Sequence, residues 1–173
     1  MRLFIAIDPG KEVLERIERT LPRLRQKSPG SKWIHPKDLH ITLVFLGEVE
    51  EQRVPELAEI LKRVAAQHAP ITLSFKGGGA FGSAHRPTVL WAGRAGDLDA
   101  LHAVQKSLIE ALVPFGHKPE TRPFKAHLTL ARARETGGDH GLAACAAPLG
   151  QSDFGRARIG EIVLFRSDLE PTG

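Results

Sequence analysis

Two short stretches constrain most strongly what this chain can fold into: His40-Ile41-Thr42-Leu43 and His127-Leu128-Thr129-Leu130. Their aliphatic and β-branched residues are typical of a buried β-strand, and residues two apart on a strand project from the same face. Each stretch is therefore predicted to present an imidazole and a hydroxyl side by side. The second stretch lies about half the chain length after the first.

The repetition points to a duplicated architecture. A chain of this composition should contain only roughly 0.07 copies of a His-hydrophobic-Thr-hydrophobic pattern by chance, yet it contains two. If the two halves face each other, a neutral imidazole and a protonated imidazole can act as base and acid on opposite sides of a reacting centre. The threonine hydroxyls and the nearby Arg132 can donate to phosphate oxygens, and such chemistry needs no metal in principle. The alternative is that both histidines are hydrogen-bonded within the core.

The hydrophobic spacing along the rest of the chain favours an α+β fold with mainly antiparallel sheets over a doubly wound parallel sheet. Besides the two motif strands, strands are predicted at 3–7, 71–75, 89–93, 154–158 and 162–165, and helices around 13–24, 54–64 and 98–112. We expect Pro22 to kink or shorten the first helix and Asp97 to cap the third. The glycine run 77–82 is interpreted as a bend or flexible loop, and the alanine-rich run 143–147 as one or two helical turns.

Composition describes the setting in which such a site would work. The net charge of +4 and pI near 9.5 favour an anionic partner such as RNA or a nucleotide, with a basic solvated surface as the alternative. The single cysteine, Cys145, allows neither an intramolecular disulfide nor a cysteine zinc cluster, and its small neighbours predict a buried thiol. No stretch approaches the roughly 20 apolar residues of a membrane span, so we expect a soluble, cytoplasmic protein.

With their flanks, the two motifs resemble the paired signature of the 2H phosphoesterase superfamily. Within it the chain is most similar to the RNA 2′,3′-cyclic phosphodiesterases, historically called 2′-5′ RNA ligases. The likeness covers nearly the whole chain and is carried by residues 2–7, the Trp33 segment before 39–43, residues 45–48 and residues 122–132. Relatives usually continue past Leu169 through a glycine into a further strand, so we expect one sheet edge here to lack that strand.

The resemblance implies a fold and an activity. The fold would be one domain, residues 1–173, of two intertwined lobes with one motif each. Two mainly antiparallel sheets would be related by pseudo-two-fold symmetry, with helices outside and the active-site cleft between the lobes. The activity would be metal-independent hydrolysis of a 2′,3′-cyclic phosphate at an RNA 3′ end to a 2′-phosphate. No cofactor, metal or membrane partner is implied, and we expect a monomer.

By motif position, the resemblance makes His40 the proton donor and His127 the proton acceptor. Thr42, Thr129 and Arg132 would bind the substrate phosphate. The near symmetry of the motifs leaves the opposite assignment of acid and base open.

Three further residues are candidates for RNA contacts: Trp33 by stacking, Arg122 and Lys125 through the backbone phosphates. A core position is the alternative for Trp33, and a solvated basic loop for the other two. The function itself also has alternatives. These are action on small cyclic nucleotides, 2′-5′ RNA ligation, and a module that binds RNA ends without reacting.

Overall fold

The computed structural model describes residues 1–93 and 95–168. It contains helices α1 (Lys11–Lys27), α2 (Val54–Ala66), α3 (Leu98–Leu112) and α4 (His140–Gly150). The strands are β1 (Arg2–Ile7), β2 (Lys32–Trp33), β3 (Ile41–Glu48), β4 (Ile71–Lys76), β5 (Gly78–Gly82), β6 (Pro87–Ala92), β7 (Ala95–Gly96), β8 (Leu128–Arg132), β9 (Asp153–Ile159) and β10 (Val163–Arg166). The predicted α+β class is confirmed.

The strands of the described residues form three antiparallel sheets. One has the order β10-β1-β3 and contains the first motif strand, and a second has the order β2-β8-β6-β5 and contains the other. A third sheet, β7-β4-β9, adds to the two that were expected. Strands from the beginning and end of the chain are mixed, because β10 pairs with β1 and β2 pairs with β8. Residues after Asp168, where the missing strand was expected, lie outside the described part.

Each of the first three helices buries one apolar stripe at helical spacing, which explains why these segments are helical. In α1 the stripe is Val13, Ile17, Leu21 and Leu24. In α2 it is Leu57, Ile60, Leu61 and Val64, and in α3 Leu101, Val104, Leu108 and Leu112. These faces join the strands in one continuous hydrophobic core. Among residues 1–93 and 95–168, no helix combines the length and apolar character needed to cross a membrane.

Two expectations about helix ends were wrong. Helix α1 continues for 17 residues through Pro22. The proline is tolerated because Pro22 and Glu18, whose carbonyl loses its hydrogen-bond partner, both lie on the exposed face. Asp97 does precede α3, but its carboxylate does not cap the helix; it accepts a hydrogen bond from the Thr72 N–H on β4, at 3.2 Å.

The glycine and alanine runs also differ from expectation. The glycine run forms β5, a regular strand paired with β6. A Cβ atom on Gly79 would stand 2.9 Å from the Trp91 ring, so glycine is required there for the indole to lie across the strand. The alanine-rich segment forms the 11-residue helix α4, which buries Cys145 completely, as predicted. Burial raises the pKa of this thiol to about 11.

A small polar cluster fastens α4 to the loop after α1. The Asp139 carboxylate accepts hydrogen bonds from the hydroxyls of Ser28 (2.9 Å) and Ser31 (2.6 Å) and from the Gly141 N–H (2.7 Å), which is the N-terminal cap of α4. The two serines are only 1% and 4% exposed. A buried hydroxyl needs a partner, so this carboxylate satisfies two groups that water does not reach.

Candidate active site

The two motif histidines occupy the same place relative to their strands. His40 directly precedes β3 and His127 directly precedes β8, rather than lying inside them. In both, the ring Nδ1 lies 2.6 Å from the backbone carbonyl oxygen two residues earlier, that of Asp38 or Lys125. A carbonyl can only accept, so Nδ1 must carry the proton. In the neutral imidazole, Nε2 is then the atom that accepts a proton, and in the imidazolium it is the atom that gives one.

A β-bulge on β8 determines which side chains join the second histidine. Thr129 lies opposite Trp91, whereas Arg132, three residues on, lies opposite Val89, only two residues from Trp91 on β6. The strand therefore has one extra residue, at Leu130, and the alternation of faces shifts by one position. The consequence is that the guanidinium-bearing residue shares the cleft face with the threonine and histidine of its motif.

The first motif strand repeats this irregularity. Thr42 lies opposite Ala6 and Phe45 opposite Phe4, so three steps on β3 match two steps on β1, with the extra residue at Leu43. The residue after the bulge again shares the cleft face with the motif threonine. The two halves of the site are thus equivalent in backbone pairing, as the pseudo-two-fold fold predicts, but the cation of the second half is replaced by an aromatic ring in the first.

Aromatic rings hold the first histidine. The His40 ring lies 4.7 Å from the centre of Phe4 and 5.6 Å from that of Phe165, which stack on each other at 5.2 Å. Phe4 also contacts Phe45 at 6.0 Å. These contacts fix the plane of the imidazole and remove it partly from water.

The second histidine has a counterpart arrangement. The edge of the Phe81 ring meets His127 at 5.0 Å with an interplanar angle of 89°, and Phe81 stacks on Trp91 at 5.3 Å. Trp91 in turn lies across Gly79. The glycine run, which had no assigned role in the sequence, therefore makes room for the rings that pack against a catalytic candidate.

Burial lowers the pKa of His40 below its ordinary value, and the positive charge of Arg132 acts in the same direction. The Asp38 backbone carbonyl and carboxylate oppose this effect but do not cancel it. The free protein therefore favours neutral His40 near pH 7. The influence of Arg132 on this ring also places the cation of the second half beside the histidine of the first.

A cavity of about 520 Å³ opens at the other end of the cleft, on the side of His127. Thr42 and Phe45 line it from β3, and Phe81 from β5. The wall opposite comes from α3 and from the chain that leads into the second motif, including Phe124. The two motifs thus meet around one space. Within residues 1–93 and 95–168, no group of three or more His, Cys, Asp or Glu side chains is placed to hold a metal ion.

The three candidate RNA contacts are placed differently. Arg122 and Lys125 are exposed and line the cavity beside His127. Trp33 lies on β2 next to β8, half-buried against the core, and its indole N–H donates to the Ser28 carbonyl at 2.8 Å. Its hydrogen bond and packing give this ring a structural function.

Sequence reasoning missed the rings around the histidines, Phe4, Phe165 and Phe45, and gave Phe81 little weight. One signal was available for Phe45: it stands five residues after the first motif histidine, as Arg132 stands five after the second. The shared offset indicates an equivalent position only once the two bulges are known.

Comparison with known proteins places this geometry in a family. The model of the family described as LigT like Phosphoesterase matches residues 7–91 and 96–173. An RNA 2′,3′-cyclic phosphodiesterase of Archaeoglobus fulgidus is 35% identical over 175 residues, covering 100% of this chain and 94% of that protein. One from Geobacillus stearothermophilus is 32% identical over 170 residues, covering 98% of this chain. The chain spans only 53% of the Geobacillus protein.

Solved structures agree with the sequence matches. The protein TT0787 of Thermus thermophilus superposes with a TM-score of 0.81 at 27% identity, covering 100% of this chain and 92% of that one. E. coli LigT complexed with 3′-AMP superposes with a TM-score of 0.71 at 26% identity, covering 98% and 89%. With the family match over most of its length and both motifs in equivalent bulged strands, this chain belongs to the LigT-like family of 2H phosphoesterases.

Proposed function

We propose that this protein hydrolyses 2′,3′-cyclic phosphate ends of RNA to 2′-phosphate ends, with the two motif histidines as acid and base. The observation that carries the proposal is the matched setting of His40 and His127, each with Nδ1 on a backbone carbonyl at 2.6 Å, which makes Nε2 the atom for proton transfer. Relatives that share this length and fold are named RNA 2′,3′-cyclic phosphodiesterases.

The reaction is an in-line displacement at phosphorus. Nε2 of neutral His127 takes a proton from water as the water oxygen bonds to phosphorus. The bond from phosphorus to the 3′ oxygen breaks, and protonated His40 gives its Nε2 proton to that oxygen. The 2′ oxygen keeps the phosphate. A phosphodiester anion between the rings offsets the charge of Arg132 and so favours the protonated His40 that this step needs.

The remaining groups stabilise the phosphate. The hydroxyls of Thr42 and Thr129 and the guanidinium of Arg132 share the cleft face with the histidines, and they can donate to the non-bridging oxygens. We propose that this donor set serves without a metal or another cofactor. We also propose that the chain acts as one monomeric domain whose two intertwined lobes contribute one motif each.

The proposal predicts ring opening in EDTA. An oligonucleotide ending in a 2′,3′-cyclic phosphate, incubated with the protein and EDTA, should give the 2′-phosphate as the product, identified by chromatography against 2′- and 3′-phosphate standards. A 3′-phosphate product or an absolute need for added metal would contradict the mechanism. Binding of the oligonucleotide without turnover would instead identify a module that only holds RNA ends.

Removing the charge of Arg132 should reveal which role His40 plays. Burial and then this guanidinium lower the pKa of His40, so Arg132→Gln should raise it. If His40 is the proton donor, the falling alkaline limb of the kcat/KM profile then moves to higher pH. Arg134→Gln, which removes a neighbouring cation whose Nε donates to the Gly30 carbonyl, serves as the matched control. A shift of the rising acid limb would reverse the two roles, and NMR titration of His40 measures the pKa change directly.

A further inference from the structure

The two halves of the site are equivalent in backbone but not in chemistry. Phe45 and Arg132 occupy matching positions, each the residue after the bulge and each on the cleft face with its motif threonine. Arg132 acts on His40, whereas Phe45 lines the cavity beside His127. One end of the cleft is therefore cationic and the other carries an aromatic ring.

The Phe45 ring is unusually placed for an apolar side chain. It is 52% exposed, one of two large hydrophobic side chains in the described chain that are mainly in solvent; the other is Val113 at 51%. Phe45 is supported on one edge by Phe4 at 6.0 Å, so its orientation is constrained although its face is open. An open, supported aromatic face inside a cleft is the kind of surface on which a nucleobase stacks.

The cavity around this ring has the composition of a base pocket rather than of a second phosphate site. Its apolar walls come from Phe45, Phe81, Phe124 and Ile109. Two polar side chains, Gln105 and Glu120, also line it. A carboxylate repels phosphate, but it accepts hydrogen bonds from base amino and imino groups, and the amide can both give and accept them. The volume of about 520 Å³ is within the range of small-ligand pockets.

We propose that this cavity is the subsite for the terminal nucleobase of the RNA end, with Phe45 as the ring on which that base stacks. The inference rests on the proposed phosphodiesterase function and specifies how its substrate is held. The cyclic phosphate lies between the histidines, and the base attached to the same ribose enters the adjoining cavity. Lys125, exposed beside His127 on the same wall, is placed for the backbone phosphate that precedes this nucleotide.

The test compares Phe45→Leu with Phe45→Trp on two substrates: an RNA dinucleotide ending in a 2′,3′-cyclic phosphate, and the same molecule without a base on its terminal ribose. Phe45→Leu should raise KM for the normal dinucleotide about tenfold and leave kcat within about twofold, because a stacking ring is lost but the histidines remain. Phe45→Trp should keep KM near the parent value. The abasic substrate should have a high KM that does not respond to either change.

Val113→Ala, which trims the other exposed hydrophobic side chain, is the matched control and should change neither constant. An equal effect of Phe45→Leu on both substrates would overturn the inference, since the ring would then support the site without touching the base. A large fall in kcat would do the same. Calorimetric titration with 3′-AMP separates this inference from the function: weaker binding to Phe45→Leu supports the subsite even if no cyclic phosphate is turned over, and unchanged binding contradicts it.

Discussion

His40→Ala and His127→Ala should each lower the turnover of a cyclic-phosphate RNA end by about 10²-fold or more, the usual cost of losing a general acid or base. Each imidazole is held by its own backbone carbonyl and its own aromatic neighbour. Neither can therefore move to replace the other. The measurement is single-turnover product formation with saturating enzyme, so that weak binding does not hide the rate of the chemical step.

The exposed His102 on α3 provides the control, since His102→Ala removes an imidazole outside the two motifs. Circular dichroism and thermal melts of each variant separate loss of chemistry from loss of folding, because His40 also packs against Phe4. The double variant should be little worse than the poorer single variant, since acid and base act in one transition state. Near-normal turnover in either single variant would remove that histidine from the mechanism.

Asp139→Ala should cost about 3 kcal/mol of unfolding free energy, because it removes hydrogen bonds to a charged group and leaves buried hydroxyls without a partner. The hydroxyls concerned are those of Ser28 and Ser31, and the Gly141 N–H at the start of α4 loses its cap. In a protein of this size such a loss lowers Tm by roughly 6 to 12 °C. Denaturant unfolding and a thermal melt both measure it.

The same carboxylate gives the stability a pH dependence. Hydrogen bonding to Ser31, and then to Gly141 and Ser28, lowers the pKa of Asp139 in the folded protein. Its contribution is complete above the unfolded pKa, about 4, and is lost as pH falls through the lower folded value. Asp168→Ala, which breaks only an exposed pair with Arg166, should cost well under 1 kcal/mol. Equal losses in both variants would show that the buried cluster has no special weight.

Much of the fold follows from local patterns. The stripes of α1, α2 and α3 and the paired motifs were readable because their spacing reports directly which face is buried. The glycine run was misread because its strand depends on Trp91, a partner on another strand that fills the space left by Gly79. No rule that reads neighbours along the chain contains that contact.

The site divides in the same way. His40, Thr42, His127 and Thr129 were identifiable from the repeat, and Arg132 by its resemblance to relatives. The role of Phe45 was not, because simple alternation from Thr42 assigns it to the opposite face. Only the bulge at Leu43 returns it to the cleft, and a bulge is a property of how two strands register.

The carbonyl beside each imidazole has one more consequence. Many enzymes orient a histidine with a carboxylate side chain, and a single substitution of that residue can select the wrong tautomer. Here the orienting atoms belong to the peptide units of Asp38 and Lys125. Every amino acid carries the same carbonyl, so the side chains at these two positions can change during evolution without disturbing the proton inventory of the histidines. Protonation control is built into the chain path itself and is hidden from point mutation.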